Sequence, residues 1–249
     1  MAMPDLSAAA RLDLWQAAEW QDPVERALVL AAAADADPTR PDELAALPVG
    51  RRDTRLLALH AALGGRALGA TAPCPACGEH AEFEVDPEAL LARAAEPAPC
   101  APVETSGFSV GWRLPDSVDV AAAAAAADAA TAERVLLERC VTAAGGPDGE
   151  VDAAALPADV RAALARAMAE SDPLAEVLVA LSCPACETAF AADLDLSAFV
   201  WAELRVHAQR LLREVDVLAR AYGWTEAEVL ALDDRRRAAY LELAREARA

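Results

Sequence analysis

The chain has 249 residues, of which 55% are hydrophobic and 4% aromatic, and a formal net charge of −19. That length suits one elaborated domain or two small ones. The negative field repels nucleic acid and anionic lipid while leaving room for a local basic face. Of the apolar residues, 67 are alanine, so large core side chains are scarce and alanine-rich helices should fill much of the fold. Lys, Asn and Ile are absent, as a GC-rich genome would explain, and no function is built on that. The apolar run Val120–Ala127, which no other run exceeds, is far short of a bilayer span. The start, MAMPDLSAAARLDLW, lacks the basic-then-apolar order of a secretion signal. These features predict a soluble protein of the cytoplasm. In that reducing compartment the six cysteines are expected as metal ligands, catalytic thiols or small buried groups rather than disulfides.

In chain order, residues 1–70 read as a helical region. Asp22-Pro23 predicts an N-cap and first helical position for a segment to about Ala34. The Ala/Asp/Pro-rich piece 31–41 reads as a surface connection, and Pro41-Asp42 as the opening of a short helix. Arg51–Leu63 carries Leu56, Leu57, Leu59 and Ala62 at helical spacing and stops at Gly64-Gly65. Residues 71–113 change character. Cys74-Pro75-Ala76-Cys77-Gly78 is a turn, and Ala81, Phe83 and Val85 then alternate with glutamates as in a half-buried strand. Asp86-Pro87 resembles a helix cap, and 106–113 reads as a second strand. Residues 114–174 are expected to be a helical insertion. It would hold one alanine-rich helix over 119–144, with Leu136 and Cys140 on one face and Gly145-Gly146 as its stop. A loop over Gly145–Val151 and a helix over 157–170 with Val160, Leu164 and Met168 would follow. Residues 175–196 hold a strand, EVLVAL, that enters a second Cys-Pro-Ala-Cys turn.

Residues 197–249 read as helical again. Trp201, Leu204, Ala208, Leu211, Val215, Leu218 and Tyr222 form a heptad seam, either one packed face of this chain or a surface for self-association. Gly223 is a natural helix stop. Thr225 and Glu228 make a capping box for a short helix through Leu232, and Asp233 opens a last helix to about Arg245. The fold class expected is mainly α with a small β zinc-ribbon-like module, an α+β arrangement built from two sequence-distant knuckles.

The repeat is the informative feature. Cys74-Pro-Ala-Cys77 is matched by Cys183-Pro-Ala-Cys186, and Ala81, Phe83, Val85 and Asp86 correspond in offset to Phe190, Ala192, Leu194 and Asp195. Two residues between cysteines let both sulfurs point to one side of a tight turn. Two such knuckles complete a tetrahedral S4 site that Zn2+ fills without redox chemistry, as a structural rather than catalytic ion. The ligand set is therefore Cys74, Cys77, Cys183 and Cys186, with residues 87–182 inserted between the halves. A dithiol redox pair is the alternative chemistry, although it usually uses one Cys-x-x-Cys in a βαβ setting. His80 lies close enough in sequence to replace a ligand. Cys100 and Cys140 lack partners at ligand spacing and read as small apolar residues. His60 and His207 read as core or interface residues.

No phosphate-binding P-loop, dinucleotide glycine fingerprint, His-Glu-x-x-His or nucleophile elbow occurs, and three histidines leave little acid–base chemistry at neutral pH. No enzyme is expected. Arg235-Arg236-Arg237 is the one local basic cluster. It reads as a helix face paired with neighbouring acids or, alternatively, as a nucleic-acid contact.

Several blocks then carry a family resemblance. They are Leu-Pro-Val-Gly-Arg-Arg-Asp (47–53), the CPACGE of 74–79, Trp-Arg-Leu-Pro-Asp-Ser-Val-Asp (112–119) and Ser-Asp-Pro-Leu-Ala-Glu (171–176). They continue with the second CPAC (183–186), Phe-Val-Trp-Ala-Glu-Leu (199–204), Ala-Tyr-Gly-Trp-Thr-Glu-Ala-Glu-Val-Leu-Ala-Leu (221–232) and Arg-Arg-Arg-Ala-Ala-Tyr-Leu-Glu-Leu (235–243). Together they resemble the T4-type baseplate, or hub assembly, protein family of contractile phage tails and phage-like contractile injection systems. The resemblance covers most of the chain from about residue 45. It implies a non-enzymatic assembly or structural role with other baseplate, hub or tail proteins as partners, while the charge and the short apolar runs argue against nucleic acid and a membrane span. The protein would stay in the cytoplasm of the producing bacterium or enter the assembled tail-like particle. A zinc-ribbon nucleic-acid-binding or regulatory module is the alternative. Glu187 stands where glycine often follows a knuckle's second cysteine. Trp201, Trp224 and Tyr222 are interface anchors if they are not core.

Overall fold

A computed structural model describes residues 6–34, 40–94 and 100–247. The first four helices are α1 (Ala8–Ala18), α2 (Pro23–Ala32), α3 (Pro41–Ala45) and α4 (Val49–Ala62). Asp22 caps α2 by accepting from the amides of Val24 and Glu25, with Pro23 at the first turn as its sequence predicts. Gly64, at φ +90°, stops the chain after α4. Gly65 then packs so closely on the His60 ring that any Cβ there would overlap it. Residues 35–39, the middle of the expected surface connection, lie outside the described residues.

The chain next forms a hairpin of β1 (Leu68–Pro73) and β2 (His80–Val85), with the first knuckle at its tip. Strand β1 begins three residues inside the stretch read as helical. Its Leu-Gly-Ala-Thr-Ala has no apolar alternation to announce a strand, and pairing with β2 supplies the order instead. Asp86 caps the short α5 (Pro87–Arg93).

The middle of the chain carries its own four-stranded antiparallel sheet, in the order β3 (Val103–Thr105), β4 (Phe108–Trp112), β5 (Val141–Gly146), β6 (Gly149–Glu150). Here the structure corrects the sequence reading. The expected helix over 119–144 is two helices, α6 (Ser117–Ala124) and α7 (Ala129–Cys140), and its last residues are strand β5. Asp128 starts α7 afresh by accepting from the Thr131 amide, and the β-branched Val141 pairs with Trp112 of β4. The expected Gly145–Val151 loop is the tight β5–β6 hairpin. Helix α8 (Ala158–Ser171) buries Val160 and Leu164 against Val110, Trp112, Leu114 and Leu156, forming a second core.

A second hairpin of β7 (Leu178–Ser182) and β8 (Ala189–Asp193) carries the second knuckle. Then come α9 (Leu196–Tyr222), α10 (Glu226–Leu230) and α11 (Asp234–Glu246). Gly223, at φ +71°, ends α9, and the Thr225–Glu228 capping box opens α10. The architecture is thus α+β, with a helical scaffold and, among the described residues, three small antiparallel sheets. Leu204, Ala208, Leu211 and Leu218 of the heptad seam are buried within this chain, against α1, α2, α4, α10 and α11. Leu56, Leu57, Leu59 and Leu63 pack with Leu68, Val177, Leu194, Val200 and Leu204 in the main core, which thereby holds the roots of both hairpins.

The insertion is tied to the scaffold by polar contacts. The Val49 amide donates to the Pro115 carbonyl at 3.1 Å, and the Gly50 amide to Asp172 Oδ2 at 2.9 Å. Buried Arg52 donates to Asp53 at 2.7 Å and to Ser117 Oγ at 3.3 Å. Three of the resemblance blocks, 47–53, 112–119 and 171–176, therefore meet in one junction. Beside it Asp119, fully buried, accepts two N–H groups from Arg113 at 2.6 and 2.9 Å and one from Arg139 at 2.7 Å. Burial works to raise the Asp119 pKa, but those arginines and the Asp116 amide hold it well below the usual carboxylate range.

Two predictions concern the junction. A Cβ on Gly50 would overlap the Asp172 carboxylate, so Gly50→Ala should cost about 1–3 kcal/mol in chemical denaturation. Asp53 is pushed up to about 6, because desolvation outweighs the attraction of Arg52. Its folded pKa lies above its unfolded one, so its contribution is fully present below about pH 4 and is lost as pH rises through about 6. The wild-type minus Asp53→Asn stability difference should therefore fall by on the order of 1–3 kcal/mol between pH 4 and 7, measured by denaturation at each pH.

Candidate metal centre

The two knuckles are built alike. In the first, the Cys74 amide donates to the Glu79 carbonyl at 2.8 Å and the Gly78 amide to the Cys74 carbonyl at 2.9 Å. In the second, the Cys183 amide donates to the Thr188 carbonyl and the Glu187 amide to the Cys183 carbonyl, both at 3.0 Å. Strand registers agree as well: Pro73 pairs with His80 and Ser182 with Ala189. After each hairpin an aspartate caps a helix, Asp86 for α5 and Asp195 for α9. The repeat legible in the sequence is therefore a structural repeat of strand, knuckle, strand and capped helix.

Gly78, the fifth residue of the turn, adopts φ +77°. Glu187, its counterpart, is held at φ +58°. The second knuckle keeps the turn geometry without the glycine, at the expense of backbone strain that L-residues with a Cβ ordinarily avoid.

The main core fixes the hairpin roots, and β2 lies against β7, so the two tips meet. Cys74 and Cys183 are buried, and Cys77 and Cys186 are exposed. Cys74 Sγ is 3.7 Å from Cys186 Sγ, Cys77 Sγ is 3.6 Å from Cys183 Sγ, and all four sulfurs lie within 4.8 Å of one another. A metal bonded to four thiolates at about 2.3 Å puts neighbouring sulfurs about 3.8 Å apart on a tetrahedron. A disulfide needs about 2.05 Å, and all four are free thiols. The donor set and spacing thus fit one four-coordinate metal ion, with no position left for water or substrate.

The four thiols are also coupled electrostatically. The Glu79 amide lowers the Cys77 pKa, but hydrogen bonds with the Cys186, Cys183 and Cys74 sulfurs outweigh it and push Cys77 up to about 12. Cys186 is drawn down to about 6, first by the Thr188 hydroxyl and amide, then by the Cys77 and Cys183 thiols. A divalent cation would remove the like-charge penalty that opposes ionising all four. Thr188 Oγ1, 3.2 Å from Cys186 Sγ, is a supporting group that sequence reading missed. Its only sequence signal is its place opposite Glu79 in the repeat.

The other candidates lie elsewhere. His80 is exposed at the start of β2 and does not belong to the ligand cluster. Cys140 is buried beside Asp119, and burial pushes its thiol up to about 11. Cys100 packs partly buried on the second core. His60 is buried with Nδ1 2.7 Å from Glu203 Oε2. His207 is partly buried on α9. No protein-family model, curated protein or solved structure matches the chain. What fold and site define is an α+β protein with a closed tetrathiol cluster that joins two hairpins distant in sequence.

Cys74→Ser should lose bound metal. It should also accelerate amide hydrogen exchange in β1, β2, β7 and β8 while the β3–β6 sheet keeps its protection; unchanged metal content and exchange would count against the site. Glu187→Gly relieves the left-handed strain and should stabilise the metal-loaded protein by about 0.5–1 kcal/mol in chemical denaturation.

Proposed function

We propose that this chain is a non-enzymatic, zinc-stabilised assembly or structural protein of a contractile tail or phage-like injection system, acting at the baseplate or hub. The supporting observation is the closed four-sulfur geometry: two knuckles far apart in sequence meet with tetrahedral spacing and no open ligand position. Such an ion cross-links a zinc-ribbon-like module and has no route to substrate chemistry. Zn2+ suits four thiolates with no geometric preference beyond the tetrahedron. The resemblance blocks support the rest of the reading, because they fall at the polar junction, the knuckles and the C-terminal helices rather than along arbitrary surface.

The nucleic-acid alternative drew on the zinc-ribbon-like knuckles and on Arg235-Arg236-Arg237. Arg237 is turned inward, with Nε 2.8 Å from Glu214 and Nη1 2.9 Å from the Leu232 carbonyl, which leaves two arginines at the surface in a chain of charge −19. Of the aromatic anchors, Tyr222, Trp224 and Tyr240 form one intramolecular cluster, with centroids 4.7–5.7 Å apart. Trp201 lies under the Arg26 guanidinium, 4.8 Å from its ring centroid. Trp20, in the turn between α1 and α2, is 90% exposed and free to fill a partner's pocket. Among the described residues, no helix is long and apolar enough to cross a membrane.

Affinity purification of the tagged full chain from producing cells tests this. Hub, spike or tape-measure proteins of a contractile system should co-purify at physiological salt. Trp20→Ala should reduce their recovery without changing the melting temperature. Salt-sensitive retention of DNA or RNA in place of those proteins would favour the alternative and contradict the proposal.

A further inference from the structure

A recess of about 250 Å3 opens between α1, the end of α4, α9 and the start of α11. It shares no lining residue with the knuckles. Its basic side chains are Arg11, His207, Arg210 and Arg237, and its acidic ones are Glu214 and Asp234. Arg237 is committed within the protein: Nε donates to Glu214, Nη1 to the Leu232 carbonyl and Nη2 to Asp234 at 2.5 Å. Glu214 also accepts from Arg210 Nε at 2.7 Å. Both carboxylates are therefore largely used up.

Arg11 is not served in the same way. Its Nη1 is 3.7 Å from Asp234, beyond hydrogen-bond distance, and its Nε is buried with no hydrogen-bond partner. A charged donor left unpaired away from solvent is a standing cost that an acceptor would relieve. Three guanidiniums face two carboxylates here, in a chain that is otherwise strongly acidic.

We infer that this recess binds a small oxyanion, a phosphate or a carboxylate, seated against Arg11 and Arg210. The anion would accept from the Nη groups of Arg11, whose nearest acidic partner, Asp234, is 3.7 Å away, and balance the surplus guanidinium. Arg210, whose side chain is largely exposed, closes the site from its solvent side.

Calorimetric titration of the full chain with inorganic phosphate and, separately, with malonate tests this, using sodium chloride of matched ionic strength as the control. Saturable one-site binding of at least one anion is expected. The phosphate and malonate arms distinguish a phosphorylated from a carboxylate ligand. Arg11→Gln should weaken binding by about tenfold or more, and Arg210→Gln should weaken it as well, each with an unchanged helical spectrum. If Arg11→Gln fails to fold, Arg210→Gln decides. No saturable binding beyond chloride, or binding unaltered in the folded variants, would overturn the inference.

Discussion

Four sulfur atoms held close together are the constraint on which the rest of this structure depends. Thiols at 3.6–3.7 Å are too far apart for a disulfide and too close for several thiolates without a cation. The arrangement exists because each hairpin root is buried in the main core, through Leu68 on one side and Val177 and Leu194 on the other. The tips are thereby aimed at each other. Everything between the hairpins, including an independent four-stranded sheet and its own core, becomes a loop closed at the thiol cluster. Closing so long a loop costs unfolded-state entropy only slowly with length, so a cross-link there tolerates a large insertion.

The closure has a second, polar fastening. Gly50, Arg52, Ser117 and Asp172 join the scaffold to both ends of the insertion through buried hydrogen bonds. Asp53 and Asp119 show the two outcomes open to a buried carboxylate. Asp53 has one arginine and stays under desolvation strain. Asp119 has two arginines and a capped helix turn, and is held firmly ionised. Arginine is the only strong base in this chain apart from the N-terminus, and its forked donors suit these shared acceptors better than a lysine ammonium would.

Much of this was legible because it is local. The caps at Asp22, Asp86, Thr225 and Asp233, the stop at Gly223 and both knuckles each need only neighbouring residues, so their sequence patterns carry over directly. What escaped is non-local or made of alanine. Alanine favours helix by propensity but carries no face, so the run through residue 127 concealed the restart at Asp128 and the strand from Val141. The Gly50–Asp172 bond spans 122 positions and leaves no periodic trace. Glu187 in a left-handed turn ran against local preference, and only the tertiary pairing of the knuckle explains it.

The central claim is that one metal ion, bound by sulfur alone, joins the two halves. X-ray absorption at the metal edge, on protein purified without added metal, tests it most directly. The account predicts one ion per chain with four sulfur scatterers at about 2.3 Å and no nitrogen or oxygen shell. A chain with intact thiols and no bound metal, or with a shell of mixed ligands, would contradict it.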